Sequence, residues 1–138
     1  IDYIEFNART HIFAKALPLI YVRAVKKTLD IIFPGTEKRK KMWENANALQ
    51  QGLRENGFEL GKTESPITPV YVPMGDEEIG KDMVRFLRDQ GVFVSAVVYP
   101  VIPKGLMLFR MIPTSAHSLD DVNKTIKAFK KVKANFLS

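Results

Sequence analysis

The feature that most restricts how this chain can fold is its punctuation. Pro34-Gly35, Gly57, Gly91 and the run Pro103-Lys104-Gly105 cut it into short pieces, and the hydrophobic period changes from piece to piece. Asp2 to Asn7 reads as the end of a helix, and Thr10-His11-Ile12-Phe13 as an irregular or extended link. From Pro18, which suits a first helical turn because its missing N–H is unsatisfied there anyway, to Ile32 the chain is apolar nearly all round. That pattern predicts a buried helix. Thr36 is a candidate N-cap for a second long helix carrying Met42, Ala46, Leu49 and Leu53 on one face, with Gly57 as its stop.

Strands alternate with helices beyond that point. Ile67 to Val72 is β-prone, but Pro69 confines it to an edge or an interrupted strand, since proline lacks the ladder donor. Gly75-Asp76 opens a helix bearing Ile79, Met83, Phe86 and Leu87, and Gly91 ends it. Val92 to Val98 and Leu106 to Ile112 are further β runs joined by a proline-rich turn. Ser118-Leu119-Asp120-Asp121 resembles a capping box with Asp in place of Glu, ahead of a helix presenting Val122, Ile126, Phe129, Val132 and Phe136. Short connections favour antiparallel pairing. The expected fold is α/β (α+β), a small, mainly antiparallel three-stranded sheet covered on one face by helices. Residues 1–35 are expected to form a connecting segment and a buried helix belonging to a larger domain, and residues 36–138 a small domain.

Composition narrows function mainly by exclusion. The 138 residues suit one compact domain, and a hydrophobic fraction of 46% is too high for disorder. No apolar run approaches the roughly 20 residues of a membrane helix, and the start shows no signal-peptide pattern, so a cytoplasmic protein without a membrane span is expected. The chain begins without Met, which fits a processed chain or a fragment. Without cysteine there are no disulfides, thiolate metal sites or thiol nucleophile, and His11 and His117 are too far apart in sequence for metal-ligand spacing. A net charge of +6 reads as solvated helix faces, or as attraction for a polyanion such as coenzyme A. Nucleic acid is not expected as a partner, because no aromatic-basic motif accompanies the charge.

Arg110 is the most informative single residue. It interrupts the apolar run Leu106 to Ile112, where partial desolvation would demand an anionic partner. Its planar fork matches a carboxylate bidentately, so a structural ion pair and a bound substrate carboxylate both fit. Period-2 alternation puts Leu108, Arg110 and Ile112 on one side and Phe109 and Met111 on the other. His117, just before a helix start, reads as a loop brace rather than a base. Lys15, in an apolar setting near Pro18, can meet a phosphate or extend to water. Lys104 reads as a charge at a turn tip. Phosphate loops, nucleophile elbows and paired-carboxylate motifs are absent.

Several of these pieces, in this order and spacing, resemble the C-terminal part of the α-oxoamine synthases. They are Gly91-Val92-Phe93-Val94, Tyr99-Pro100-Val101-Ile102-Pro103-Lys104-Gly105, Leu108-Phe109-Arg110 and Ser115-Ala116-His117-Ser118. The family includes glycine C-acetyltransferase, serine palmitoyltransferase, 8-amino-7-oxononanoate synthase and 5-aminolevulinate synthase. Upstream, Ile12 to Pro18, and Leu53 to Phe58 followed by Ser65 to Val70, are similar to it too. The resemblance implies the C-terminal small domain of a fold type I enzyme that uses pyridoxal 5'-phosphate, is a homodimer, and condenses an amino acid with an acyl-CoA. An ordinary class I/II aminotransferase small domain, or a non-catalytic basic binding module, are the alternatives.

The same resemblance implies roles for particular residues. Arg110 matches the family arginine that grips the amino-acid carboxylate. Tyr99 stands where some serine palmitoyltransferases have a second arginine, and is a second candidate for substrate binding. Ala14 and Ala16 replace hydroxyls that contact the cofactor phosphate across the dimer interface, which leaves Lys15 as a candidate substitute. The Schiff-base lysine is expected in the protein's own N-terminal cofactor-binding domain, so the 138-residue chain is expected to bind no pyridoxal phosphate and to be inactive alone.

Overall fold

The computed structural model describes residues 1–12, 16–73 and 77–137. They fall into two compact units, Ile1–Thr36 and Glu37–Ser138.

In the first unit, α1 spans Asp2–Asn7, α2 Arg9–Ile12 and α3 Leu19–Ile32. The link expected at residues 10–13 is thus helical through Ile12, with His11 N–H bonded to the Ala8 carbonyl at 2.9 Å. Pro18 is the N-cap of α3 and the Gly35 N–H closes onto the Ile32 carbonyl. The expected burial of α3 is not found, and all of its residues are exposed, Ile20 by 72%. The reason is a shortage of layers. Two helices of 6 and 4 residues cannot cover a 14-residue helix that is apolar nearly all round.

The second unit is built on an antiparallel sheet of β1 (Thr68–Pro73), β2 (Ser95–Val97) and β3 (Leu106–Met111), in the order β1-β3-β2. Pro69 therefore lies on an edge strand, opposite Arg110. The sheet is two-faced. Val70, Val72, Met107, Phe109 and Met111 are buried, while Tyr71, Leu106 and Arg110 on the other face are exposed. The buried face packs beneath α4 (Thr36–Glu55), α5 (Glu77–Asp89) and α6 (Leu119–Phe136) through Leu49, Leu53, Met83, Leu87, Phe129 and Val132. Phe129 meets Phe58 and Phe109 edge-on at centroid distances of 5.6 and 5.5 Å, the arrangement the ring quadrupole favours.

Local signals set the ends of these helices. Thr36 does not act as a cap, since its hydroxyl bonds back to the Pro34 carbonyl at 3.3 Å. At the end of α4, Gly57 with φ 72° lets its own N–H reach the Arg54 carbonyl and the Phe58 N–H reach the Leu53 carbonyl. Gly91 with φ 76° repeats the motif after α5, through the Arg88 and Leu87 carbonyls. The expected helix start at Gly75-Asp76 lies outside the described residues. The strand expected over Val92 to Val98 is confined to Ser95–Val97, because the turn at Gly91 commits Val92 to the core first. The capping box of α6 is present as expected. The Ser118 hydroxyl accepts from the Asp121 N–H, and the Asp121 carboxylate accepts from the Ser118 N–H at 2.8 Å.

Candidate functional site

An open cleft of about 290 Å³ lies in the second unit, where the ends of β2 and β3 meet the start of α6 and the side of α4. Its floor is apolar, made by Leu49, Val92, Met111, Pro113 and Val122, all buried. Phe93, Val94 and Ile112 form its mouth, Phe93 being 83% exposed. The turn after α5 sets this wall: once Gly91 has placed Val92 in the core, residues 93–95 run along the cleft into β2.

Arg110 lies at the rim, on the outer face of the central strand between Pro69 and Ser95. The desolvation expected from its apolar neighbours in sequence does not occur, and the residue is exposed. Those neighbours point alternately into the core, and nothing among the described residues covers the opposite face at this point. No described carboxylate forms an ion pair with its guanidinium. Asp121 shares the cleft, but Ser118 engages it through both its backbone N–H and its hydroxyl. Those two hydrogen bonds, the backbone one foremost, hold the Asp121 carboxyl below the ordinary aspartate range, with His117 and Lys124 adding to the effect.

His117 lines the same cleft and braces its own turn, as its sequence position suggests. Its Nδ1 accepts from the Thr114 N–H at 3.0 Å, which puts the proton of the neutral ring on Nε2. The anchor of this turn is Asn45 of α4. It is 2% exposed, and its amide donates to the Thr114 and His117 carbonyls, each at 2.9 Å. Sequence reasoning passed over Asn45. The available signal was a polar residue beside Ala46 on the apolar face of a helix. Ser95 was missed as well. Its hydroxyl donates to the Arg110 carbonyl at 3.4 Å, tying β2 to β3 beside the arginine.

The other residues singled out in the sequence lie apart from this cleft or outside the described residues. Tyr99 is 54% exposed, follows β2 and has the Lys104 ammonium 5.0 Å from its ring centroid. It does not line the cleft with Arg110. Lys15 and Ala14 lie outside the described residues, and Ala16 is exposed. Among the described residues no lysine lines the cleft, so it offers no amine for a Schiff base and does not fit the cofactor ring. No cluster of His, Cys, Asp or Glu there could hold a metal, and no described helix is long and apolar enough to cross a membrane.

Residues 1–129 match the family described as aminotransferase class I and II. The chain belongs to that family. Its relatives within the aminotransferase class I and II family are α-oxoamine synthases. It is 44% identical over 134 residues to the cysteate-C-fatty acyltransferase of Capnocytophaga ochracea, covering 96% of this chain and 32% of that protein. It is 36% identical over 132 residues to the 8-amino-7-oxononanoate synthase of Thermoanaerobacter pseudethanolicus, covering 96% and 33%. Among solved structures, the serine palmitoyltransferase of Sphingomonas wittichii superposes with a TM-score of 0.77 at 25% identity, over 96% of this chain and 33% of that one. A high-resolution serine palmitoyltransferase holding pyridoxal phosphate as its internal aldimine gives 0.78 at 28%, over 96% and 33%. The chain thus spans about a third of the length of the relatives it matches. The fold is that of the fold type I enzymes.

Proposed function

We propose that this chain is the C-terminal small domain of a pyridoxal-phosphate-dependent acyl-CoA:amino acid C-acyltransferase, and that Arg110 is its grip on the amino-acid carboxylate. One observation carries the assignment: an exposed guanidinium at the rim of an apolar cleft, with no carboxylate partner among the described residues. A structural arginine would have its anion already in place. This one has its fork open to a carboxylate that arrives with substrate. In the full-length protein Arg110 holds and orients the amino acid so that its α-carbon meets the reacting groups, which is a matter of positioning rather than chemistry. The 44%-identical relative is named for cysteate and a fatty acyl group, which makes both candidate substrates here, beside serine and glycine.

Residues 1–35 are then a connecting segment and a helix of the large domain, and the exposed apolar surface of α3 is the part that the rest of the protein covers. The Schiff-base lysine belongs to that large domain. Lys15 is a candidate for the cofactor phosphate of the neighbouring subunit in a homodimer, and Tyr99 for a second substrate contact. The enzyme is cytoplasmic in this reading.

Replacement of Arg110 in the full-length enzyme tests the central assignment. Each charge-assisted hydrogen bond lost is worth about 1.5–3 kcal/mol, so Arg110→Ala should raise the amino-acid KM by at least about tenfold per bond. Arg110→Lys should not restore it, because an ammonium lacks the planar fork. The melting temperature should barely move, since an exposed, unpaired side chain contributes little to folding. An unchanged KM in Arg110→Ala removes the arginine from the substrate site.

A further inference from the structure

We propose that a second cavity, between α5 and the edge of the sheet at β2, binds a small amphipathic anion, an apolar body with a phosphate or carboxylate head. The cavity shares no lining residue with the Arg110 cleft, and its occupancy does not depend on the acyltransferase reading. The sheet is open at this place. Ala96 of β2 stands opposite Phe109 of β3, so its side chain lies on the face that the helices cover. Phe109 is fully buried, yet Ala96 is exposed and Val98, two residues on, is 36% exposed. α5 does not close over them, and at Gly80 it has no side chain with which to fill the gap. The result is an open cavity of about 350 Å³ whose apolar lining is Val84, Ala96, Val98 and Met107.

The charges of the lining gather on one side. Lys81, Arg85 and Arg88 recur at helical spacing along the α5 wall. Carboxylates of the same helix engage the first two, Glu78 at 3.0 Å from Lys81 and Asp82 at 2.9 Å from Arg85. No described carboxylate pairs with Arg88, whose guanidinium carbon lies 5.4 Å from the centroid of the Phe93 ring. A cation–π contact draws on the charge of the guanidinium and leaves N–H donors for an oxyanion. Arg88 is therefore the head-group contact, and the apolar lining receives the body, the usual division of labour in a small-molecule site. At ~30 Å³ for a group the size of a water or a methylene, 350 Å³ takes about eleven of them, so a body of about eight to ten carbons fits with its head at the arginine. A recess between a helix and a strand takes a single molecule rather than a flat bilayer surface.

Octyl phosphate, kept below the concentration at which it aggregates, is the probe, titrated calorimetrically into the full-length protein. Saturable binding is expected. The affinity should fall by at least about tenfold in Arg88→Ala, which loses a charge-assisted contact, and in Ala96→Phe, whose ring occupies the cavity. Arg110→Ala should leave it unchanged, because that residue belongs to the other cleft. Octan-1-ol and inorganic phosphate, each offering half of the ligand, should bind at least about tenfold more weakly. In methyl NMR spectra of the wild-type protein, octyl phosphate should shift Ala96, Val98 and Met107. Absence of saturable binding, or an unchanged affinity in either Arg88→Ala or Ala96→Phe, overturns the site. Inorganic phosphate that binds as tightly as octyl phosphate overturns the amphipathic ligand. Sedimentation of the protein with phosphatidylglycerol vesicles, without binding of octyl phosphate, overturns the cavity in favour of a membrane surface. If a variant does not fold, the spectra decide: shifts at those three methyls support the site, and shifts elsewhere or none overturn it.

Discussion

Asn45→Ala should loosen the cleft from behind. The amide of Asn45 makes two hydrogen bonds that bridge 69 and 72 residues of chain, joining α4 to the turn that carries His117. A neutral hydrogen bond of this kind contributes about 0.5–1.5 kcal/mol net, so the pair is worth about 1–3. Two further effects act in opposite directions. The accepting carbonyls belong to exposed residues, and water can replace the lost donor, which favours the lower half of that range. The side chain is 2% exposed, however, so its removal also leaves a small void. The expected loss is about 2 kcal/mol, or about 8–16 °C in melting temperature for a domain of this size. Asn45→Asp should be worse than Ala, because it keeps the shape but turns an acceptor and a charge toward two carbonyls. Urea denaturation of the 138-residue chain measures the energy, and amide exchange at residues 114–117 reports the turn. A change below about 0.5 kcal/mol in Asn45→Ala, with exchange there unaltered, would refute the claim that Asn45 holds the turn.

The remaining expectations concern charge and cofactor. Asp121 has its folded-state pKa lowered by Ser118, so the stability it lends is full above the unfolded aspartate value, about 3.9, and is lost as pH falls through the lower folded value. The stability gap between wild type and Asp121→Asn should therefore shrink on acidification below that value, and a gap independent of pH would contradict the capping role. The 138-residue chain alone should form no saturable aldimine absorbance band with pyridoxal phosphate. A band that disappears on replacing one of its lysines would place the Schiff base here after all. In the full-length protein Lys15→Ala should weaken cofactor binding, measured by equilibrium dialysis, and an unchanged affinity would leave Lys15 without that role.

Much of the fold was legible in the sequence wherever a feature depends on residues close together along the chain. Gly57 and Gly91 end helices because their backbones turn through positive φ, and Ser118 with Asp121 closes a capping box across three residues. Period-2 alternation put Leu108, Arg110 and Ile112 on one side and Phe109 and Met111 on the other, and the burial along β3 follows it. Pro69 excluded its own strand from the middle of the sheet. The motif around Tyr99, Arg110 and His117 pointed to the family. Arg110 drew attention as a cation among apolar neighbours, although the structure leaves it exposed and not desolvated.

Tertiary structure decided what separates a structural arginine from one at the rim of a cleft. Sequence establishes that Arg110 and Phe109 face opposite ways, but not which face the helices cover. That depends on how α4, α5 and α6 pack, through contacts between residues tens of positions apart. The same distance in sequence hid Asn45, whose partners lie in a turn beyond the whole sheet. The same limit applies to α3. An all-round apolar helix calls for a cover, and periodicity cannot say whether the cover lies within these 138 residues. Local pattern fixes backbone conformation and the side on which each residue stands, because both are settled within a turn or a pleat. Exposure, partnership and the cleft itself depend on which distant surfaces meet, and only the folded chain determines that.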